Sequence, residues 1–314
     1  MTNVTQVAYN ERVTRRRTGG GCLFLVIVLS VLGIAYHLWE RGTSVTPAGV
    51  TTSDGAGRYV ALGDSYTASP GTGRPVGEPP GCDRSDNNYP SLLAAKLRPA
   101  EFVDASCGGA TTGHLTGEQK TRDGTNAPQL DVIDAETTLV TVGIGGNDVG
   151  FVGFASQCAT QVQTASLCKT QLTAGGRDQL AERITAAAGR LGGILDQIRS
   201  KAPSARIVVV GYPTVLPDDD AACWPVLPVG AGDVAYFRDS LKRLNEALQE
   251  TAKEHDAGFA DMSTASKGRD MCSAANRRWV EGPAPSVPAA PLHPNARGAE
   301  GMAEVIEKLL KPAS

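Results

Sequence analysis

The chain has 314 residues, of which 41% are hydrophobic and 20% charged, so it can fold around a sizeable core. The formal net charge is -3, and no stripe of Lys or Arg interleaved with aromatic residues occurs, which argues against nucleic-acid binding. We therefore predict a globular protein with one large domain and no nucleic-acid partner.

The first fifty residues differ in character from the rest of the chain. Residues 22–39 are almost all apolar, close to the ~20 residues that a helix needs to cross a bilayer. Four arginines precede them and only Arg41 follows closely, so the positive-inside rule keeps the N-terminus in the cytoplasm. A cleaved signal peptide is the alternative, but no small-x-small cleavage pattern follows Trp39. We favour an uncleaved membrane anchor.

Composition divides the chain into four predicted parts. Residues 1–21 form a basic cytoplasmic N-terminus, 22–39 a transmembrane signal anchor, 40–57 a flexible linker, and 58–314 an extracytoplasmic domain. The domain is thus expected at the outer surface of the cell membrane, or secreted if the anchor is cleaved.

Six of the seven cysteines fall in residues 58–314. An even number outside the cytoplasm indicates disulfides. Zinc binding is not indicated, because there is no Cys-x-x-Cys and no histidine pair at ligand spacing. Cys158 and Cys168 are close enough to pair locally, whereas the spacing leaves the partners of the other four open.

Short apolar runs alternate with longer stretches of helical periodicity along the domain. This alternation predicts a parallel sheet with crossover helices. Apolar stripes within residues 180–198, 234–248 and 302–310 keep helical spacing and are predicted to face the core. The predicted strands are residues 59–63, 102–106, 139–143, 207–211 and 258–261.

Two irregular stretches, residues 151–176 and 213–232, interrupt this alternation. Both leave the carboxyl ends of predicted strands, the edge at which open α/β sheets bind ligands. We predict that they form the walls of a substrate cleft.

Ser65 stands where the first predicted strand ends, in the sequence Gly63-Asp64-Ser65. Gly63 supplies backbone freedom for a turn, and a helix beginning there would direct N–H groups at a bound oxyanion. An ordinary turn with a helix N-cap would give the same pattern. Ser65 is therefore a candidate nucleophile whose role depends on what converges on it.

Two glycine-rich segments follow the second and third predicted strands, at the same sheet edge as Ser65. Gly109 can offer an unobstructed N–H, and Asn147 can present a side-chain amide. With the N–H of Ser65, these groups would form an oxyanion hole. A glycine-rich turn and a loop asparagine are the simpler interpretations of each segment alone. A dinucleotide fingerprint is excluded, because Asp148 stands where the third glycine is required.

A serine nucleophile needs a base, and the chain has four histidines. His37 falls in the predicted membrane segment, and His255 ends a helix, where charge compensation is the simpler role. His293 lies in a proline-flanked loop directly before the last predicted helix, a position that should return to the carboxyl edge of the sheet. We favour His293 as the base, with His114 as the alternative.

Gly-Asp-Ser, the second-segment glycine, Gly-Gly-Asn-Asp and a His-Pro before the C-terminal helix occur in that order after successive strands. Together they resemble the SGNH hydrolases, also called the GDSL esterase and lipase family, over residues 59–310. The resemblance implies a flavodoxin-like three-layer α/β/α sandwich with a five-stranded parallel sheet. It also implies Ser65 as nucleophile, Gly109, Asn147 and the Ser65 N–H as oxyanion donors, and His293 as base, without a metal or organic cofactor.

The sequence around these motifs is most similar to actinobacterial secreted esterases of the family. Those proteins carry three disulfides paired in chain order. The resemblance therefore implies the pairs Cys82–Cys107, Cys158–Cys168 and Cys223–Cys272.

One position departs from the family pattern, because Ala290 stands where an Asp usually precedes the catalytic histidine by three residues. That carboxylate orients the imidazole and stabilises the imidazolium. Some family members use a Ser-His dyad with a main-chain acceptor, and we predict a dyad here with the Ala290 carbonyl as acceptor. Replacement of the carboxylate by Asp270 or Glu281 is the less favoured alternative.

Taken together, these features predict a membrane-anchored, extracytoplasmic serine esterase or lipase that works as a monomer on small-molecule or lipid esters. Carbohydrate O-deacetylation and acyl transfer remain alternatives, since the same site serves them. A degenerate domain that binds acylated ligands without turnover is the alternative from a different class.

Overall fold

A computed structural model describes residues 57–219 and 223–311. Its strands are β1 (Arg58–Gly63), β2 (Glu101–Asp104), β3 (Gln119–Thr121), β4 (Gly124–Asn126), β5 (Thr137–Gly143), β6 (Arg206–Val210) and β7 (Gly258–Ala260). Its α-helices are α1 (Ser65–Ala68), α2 (Tyr89–Leu97), α3 (Gly146–Val149), α4 (Phe151–Gln157), α5 (Leu167–Leu172), α6 (Gln179–Lys201), α7 (Ala231–Glu254), α8 (Met262–Ala265) and α9 (Ala296–Leu310). Short 3-10 helices cover Pro80–Cys82, Thr112–Leu115, Gln129–Val132 and Ala174–Gly176.

Five strands form a parallel sheet in the order β2-β1-β5-β6-β7, and β3 and β4 form a separate antiparallel hairpin. Val60 in β1 pairs with Val103 on one side and Val140 on the other. All five predicted strands occur in this sheet, with ends that differ slightly from the predicted ones. The predicted five-stranded parallel α/β fold is confirmed.

Side chains along the central strands alternate between two apolar cores, as the two-residue period of a strand requires. In β6, Ile207 and Val209 belong to the core beneath α6 and α7, whereas Val208 and Val210 belong to the core beneath α2 and α9. The helices pack in the same pairs, α6 with α7 and α2 with α9. Because helices cover both faces, the central strands are mostly apolar, with the buried Thr141 of β5 as a polar exception.

Helix α2 was missed in the sequence, although its N-terminus carries a recognisable signal. The side chain of Asn88 accepts the Ser91 N–H and caps the helix, and Pro90 stands in the first turn. The helix is short, which leaves little periodicity to detect. Only its packing against α9 shows that it closes one face of the sheet.

Three disulfides join the cysteines in chain order. None of the six cysteines lies in a strand or a long helix: Cys168 belongs to the short helix α5, Cys82 ends a 3-10 helix, and the others lie in loops. Such cross-links are typical of an oxidising compartment and constrain the unfolded chain. The pairs are Cys82–Cys107, Cys158–Cys168 and Cys223–Cys272.

The predicted N-terminus, membrane anchor and all but the last residue of the linker lie outside the described residues. Among the helices of residues 57–219 and 223–311, none is long and apolar enough to span a bilayer.

Candidate active site

Ser65 is the first residue of α1 and lies directly beyond the carboxyl end of β1. A Cβ on Gly63 would come within 2.5 Å of the Gly143 carbonyl oxygen, so only glycine allows β1 and β5 to approach this closely at the turn. Asp64 caps α1 by accepting the Tyr66 N–H at 2.8 Å. The turn thus holds the Ser65 hydroxyl at the carboxyl edge of the sheet.

Ser65 and His293 meet although 228 residues separate them: Oγ and Nε2 lie 2.7 Å apart. Their exposed fractions are only 7% and 9%, so the hydrogen bond is shielded from water. Tyr66, the next residue after Ser65, donates its hydroxyl to the Leu292 carbonyl at 2.7 Å, and its ring centroid lies 5.4 Å from that of the imidazole. Tyr66 therefore ties the histidine loop to the serine turn.

The other ring nitrogen of His293, Nδ1, lies 2.7 Å from the carbonyl oxygen of Pro291. The prediction that the Ala290 carbonyl accepts the Nδ1 proton is wrong. That oxygen accepts the backbone N–H of His293 instead, at 3.3 Å. Leu292 has a φ of 66°, and this left-handed residue turns the chain between Pro291 and His293. Because a carbonyl can only accept, Nδ1 carries the proton and Nε2 is free to accept the Ser65 O–H.

Neither carboxylate considered as a replacement partner contacts the imidazole. Glu281 is fully buried and accepts from the Asn295 side chain at 2.8 Å. Its backbone N–H donates to the His293 carbonyl at 3.0 Å, so it steadies the loop rather than the ring. Asp270 accepts the Cys272 N–H at 2.9 Å. Both alternatives to a main-chain acceptor are therefore unsupported by the geometry.

Gly109 lies in the turn that follows β2, here called the Gly109 turn, and Asn147 lies in the one-turn helix α3 that follows β5, here called the Asn147 turn. Gly109 is exposed with a φ of 75°, and an added Cβ would find only the side chain of Gln119 within 4 Å. Asn147 donates one amide hydrogen to the Ala110 carbonyl at 2.9 Å and lines the same cavity as Ser65. As the first residue of α1, Ser65 has no intrahelical acceptor for its own N–H. Three donors thus stand in the turns at this edge.

A second cluster fixes the same two turns to each other. The Asp148 carboxylate accepts from the Thr112 N–H at 2.9 Å and from the Thr112 hydroxyl at 2.5 Å. Arg190 of α6 donates to Asp148 at 2.7 Å and to the Thr112 hydroxyl at 2.6 Å. Asp148, the last residue of the Gly-Gly-Asn-Asp motif, therefore holds the Asn147 turn against the Gly109 turn.

Tyr212 was not predicted as a site residue, and it carries no motif beyond its position just after β6. Its hydroxyl donates to Asp64 Oδ2 at 2.5 Å and accepts the Gly146 N–H at 2.7 Å. Burial raises the pKa of the Asp64 carboxyl to about 7, although the hydrogen bonds from Tyr212 and from the Tyr66 N–H oppose the rise.

The other two histidines within the described residues lie elsewhere. The Nδ1 of His114 accepts the Thr111 N–H at 3.0 Å and closes a 3-10 turn. The Nδ1 of His255 lies 2.7 Å from Asp196 at the end of α7. Neither contacts Ser65, so the alternative base is not brought to the serine.

An apolar cavity, partly open to solvent, adjoins Ser65; the space within and in front of it, open solvent included, is about 820 Å³. Both irregular stretches contribute to its walls, as predicted. Helix α7 also contributes: its apolar stripe belongs to the core, as predicted, but Val234 and Phe237 line the cavity as well, whereas Leu244 and Leu248 only fill the core beneath Gly145. The apolar lining residues of these three segments are Phe151, Val152, Val215, Leu216, Leu227, Val229, Val234, Phe237 and Leu241.

A parallel α/β sheet with a buried serine–histidine pair at its carboxyl edge, flanked by N–H donors, has the arrangement of a serine hydrolase. The chain belongs to the GDSL-like Lipase/Acylhydrolase family, which matches residues 61–300, and it is a carboxylic ester hydrolase of the lipase and esterase type.

Named relatives come from Streptomyces. Lipase 2 of Streptomyces coelicolor is 37% identical over 286 residues, which are 88% of this chain and 92% of that protein. A phospholipase A1 from Streptomyces albidoflavus NA297 has a similar crystal structure, with a TM-score of 0.63 and 28% identity over 81% of this chain and 99% of that one. The crystal structure of an extracellular lipase from Streptomyces rimosus is similar as well, with a TM-score of 0.62. The two sequences are 28% identical over 81% of this chain and 99% of that one.

Proposed function

We propose that this protein is a membrane-anchored, extracytoplasmic lipase or esterase that cleaves esters of apolar acyl chains through a Ser65–His293 dyad. The observation that carries the proposal is the 2.7 Å contact between Ser65 Oγ and His293 Nε2 beside an apolar cavity. A nucleophile within hydrogen-bond reach of its base is the arrangement that covalent ester hydrolysis needs.

In the proposed reaction, His293 Nε2 takes the hydroxyl proton as Ser65 Oγ attacks the ester carbonyl carbon. The negative oxygen that forms is stabilised by the N–H groups of Ser65 and Gly109 and by the Asn147 amide. The intermediate collapses, and His293 returns the proton to the departing alcohol oxygen. Water then attacks the acyl-enzyme with the same help from His293, and the acid leaves as Ser65 recovers its proton.

The Pro291 carbonyl supports a dyad rather than a triad, because it fixes the imidazole tautomer but carries no full charge to stabilise the imidazolium. We expect Asp270→Asn to keep kcat within about threefold of the unmodified protein, since this carboxylate makes no contact with the ring. Steady-state hydrolysis of a short nitrophenyl ester measures this. A loss of about a hundredfold in a variant with unchanged thermal unfolding would contradict the dyad.

The pH dependence of kcat/KM should report His293. Burial lowers the pKa of its imidazole, and the hydrogen bond to Pro291 opposes this only in part. Since the base must be neutral, activity should rise with pH through a midpoint below about 6.5, the ordinary histidine value. A midpoint above about 7 would contradict the assignment. The Asp64 carboxyl, next to Ser65, has a pKa raised to about 7, so its titration also enters the pH profile. The profile of Asp64→Asn lacks this titration and reports His293.

The cavity favours a substrate with an apolar acyl chain over an acetylated carbohydrate, because its walls are largely apolar side chains that offer no hydrogen bonds to sugar hydroxyl groups. Val234, Phe237 and Leu241 are spaced about one turn apart along α7. Leu244, one turn beyond Leu241, packs beneath Gly145. Val234 therefore lies about 10 Å further along the helix than Leu241, away from Asn147.

Val234→Phe is expected to shorten the accepted chain. In a series of nitrophenyl esters, kcat/KM should fall about tenfold or more for long chains and stay within about threefold for the acetate. Val76→Phe, at an exposed position outside the cavity wall, is the matched control. An equal loss for acetate and long chains would contradict an acyl-binding role for the cavity.

The anchoring and export of residues 58–314 are supported by the apolar residues 22–39 after the arginines and by three disulfides. The relative from S. rimosus is described as extracellular. Full-length protein should remain in the membrane pellet after alkaline carbonate extraction. Recovery from the medium with an N-terminus beyond residue 39 would instead indicate cleavage.

A further inference from the structure

We propose that Tyr212 is a positioning residue whose hydroxyl fixes the position of Asn147 relative to Ser65 by hydrogen-bonding to the turn that carries each of them. The inference rests on the proposed function, in which Ser65 is the nucleophile and Asn147 an oxyanion donor.

The hydroxyl of Tyr212 bonds to the residue directly before each of these two groups. It donates to the carboxylate of Asp64, which precedes Ser65, and accepts the N–H of Gly146, which precedes Asn147. A hydroxyl can donate and accept at once, so one atom joins both turns. Phenylalanine at this position would leave the buried Asp64 carboxylate and the partly buried Gly146 N–H without this hydrogen bond.

The Asp148 cluster holds the Asn147 turn to the Gly109 turn, but among the described residues no backbone hydrogen bond holds it to the serine turn beyond the end of β5. The last backbone bond between them within the described residues is from the Asp64 N–H to the Gly143 carbonyl, at 3.0 Å. Three residues separate β5 from Asn147, and two of them are glycines with little backbone restriction: Gly145, with a φ of 119°, and Gly146. The Tyr212 hydroxyl bonds to the second of these glycines.

Tyr212 is itself held in place by hydrogen bonds of its backbone and by packing of its ring. Its backbone N–H and carbonyl both bond to the buried side chain of Asn245, at 2.8 Å and 2.9 Å. The Tyr66 ring meets its ring edge-on, with centroids 5.3 Å apart. A Cβ on Gly146 would lie 3.0 Å from the Tyr212 ring, so the glycine permits the close approach that the hydrogen bond requires.

The Tyr212 hydroxyl affects the reaction through the distance between the Asn147 amide and the substrate oxygen. An oxyanion donor is effective within about 2.7–3.1 Å of the negative oxygen. A displacement of about 1 Å can cost on the order of a hundredfold in rate. Loss of the Tyr212 hydroxyl should therefore act on the transition state through Asn147 and leave substrate binding in the cavity nearly unchanged.

The test compares Tyr212→Phe in two full-length backgrounds, the unmodified chain and Asn147→Ala, with a short nitrophenyl ester. In the unmodified chain we expect kcat to fall about 10- to 100-fold with KM within about threefold. In the Asn147→Ala background the same substitution should cost less than about threefold, because the group it positions is gone. A purely structural role would cost the same in both backgrounds.

Tyr236→Phe is the matched control, because Tyr236 also donates its hydroxyl to a carboxylate, Asp178, at 2.7 Å and does not line the cavity. Its kcat should stay within about twofold. If Tyr212→Phe does not fold, Gly146→Ala replaces it: the added methyl group presses on the Tyr212 ring and should show the same dependence on Asn147.

Two results would overturn the inference alone: kcat of Tyr212→Phe within about threefold of the unmodified protein, or an equal loss with and without Asn147. Absence of ester hydrolysis by the unmodified protein, together with no phosphonate labelling of Ser65, would overturn the proposed function and the inference with it.

Discussion

Ser65→Ala is expected to lower kcat by about 10⁴-fold or more, because the covalent route through the acyl-enzyme disappears and only ground-state binding and the oxyanion donors remain. The small substitution at a buried turn should leave the fold intact, since the cap made by Asp64 does not involve the Ser65 side chain. Hydrolysis of a short nitrophenyl ester and the mass shift after phosphonate treatment measure the two consequences. Both should be lost together.

Ser69→Ala is the matched control for that experiment. Ser69 is four residues away and fully buried, and its hydroxyl has no hydrogen-bond partner among the described residues. Its activity and labelling should match the unmodified protein. Retained turnover in Ser65→Ala, or a phosphonate adduct on another residue, would show that the nucleophile lies elsewhere.

Asn147→Ala should lower kcat by about 10²–10³-fold with little change in KM, because the side chain contributes only when negative charge develops on the substrate oxygen. The variant also loses the bond to the Ala110 carbonyl, which by itself is worth on the order of 1 kcal/mol of stability. Steady-state kinetics on the same ester, together with thermal unfolding, separate the two effects.

Asn126→Ala provides the comparison, because Asn126 is a buried asparagine that also donates to a backbone carbonyl, that of Ala105, outside the cavity wall. Its kcat should stay within about threefold of the unmodified protein. A loss below about tenfold in Asn147→Ala, or a loss seen mainly in KM, would remove Asn147 from the proposed oxyanion hole.

The acceptor of the histidine proton illustrates a limit of motif reasoning. The family pattern directs attention to the position three residues before His293, where Ala290 offers only its carbonyl. The carbonyl that faces Nδ1 is instead that of Pro291, because Leu292 adopts a left-handed conformation that nothing about leucine predicts. A backbone dihedral angle decides this contact, and side-chain identity does not encode it.

The lining of the cavity illustrates a second limit. The apolar stripe of α7 is visible in the sequence, and its side chains belong to the core, yet Val234 and Phe237 also line the cavity whereas Leu244 does not. Periodicity reports that a face is apolar, and an acyl-binding cavity and a packed core place the same demand on side chains. A cavity is filled by a substrate and a core by neighbouring side chains, and the sequence of the helix does not distinguish the two.

Features that depend on local pattern can be predicted from the sequence: the alternation that makes a parallel sheet, and the segments after β1, β2 and β5 that bring Ser65, Gly109 and Asn147 to one edge. The sequence also places His293 in the loop before the last helix, since parallel strands and their crossovers leave few other arrangements. The tertiary structure alone decided which carbonyl holds the imidazole and that Tyr212 joins two of those turns. Both depend on buried hydrogen bonds between distant segments, whose partners are chosen by the packing of the whole domain rather than by neighbours in the chain.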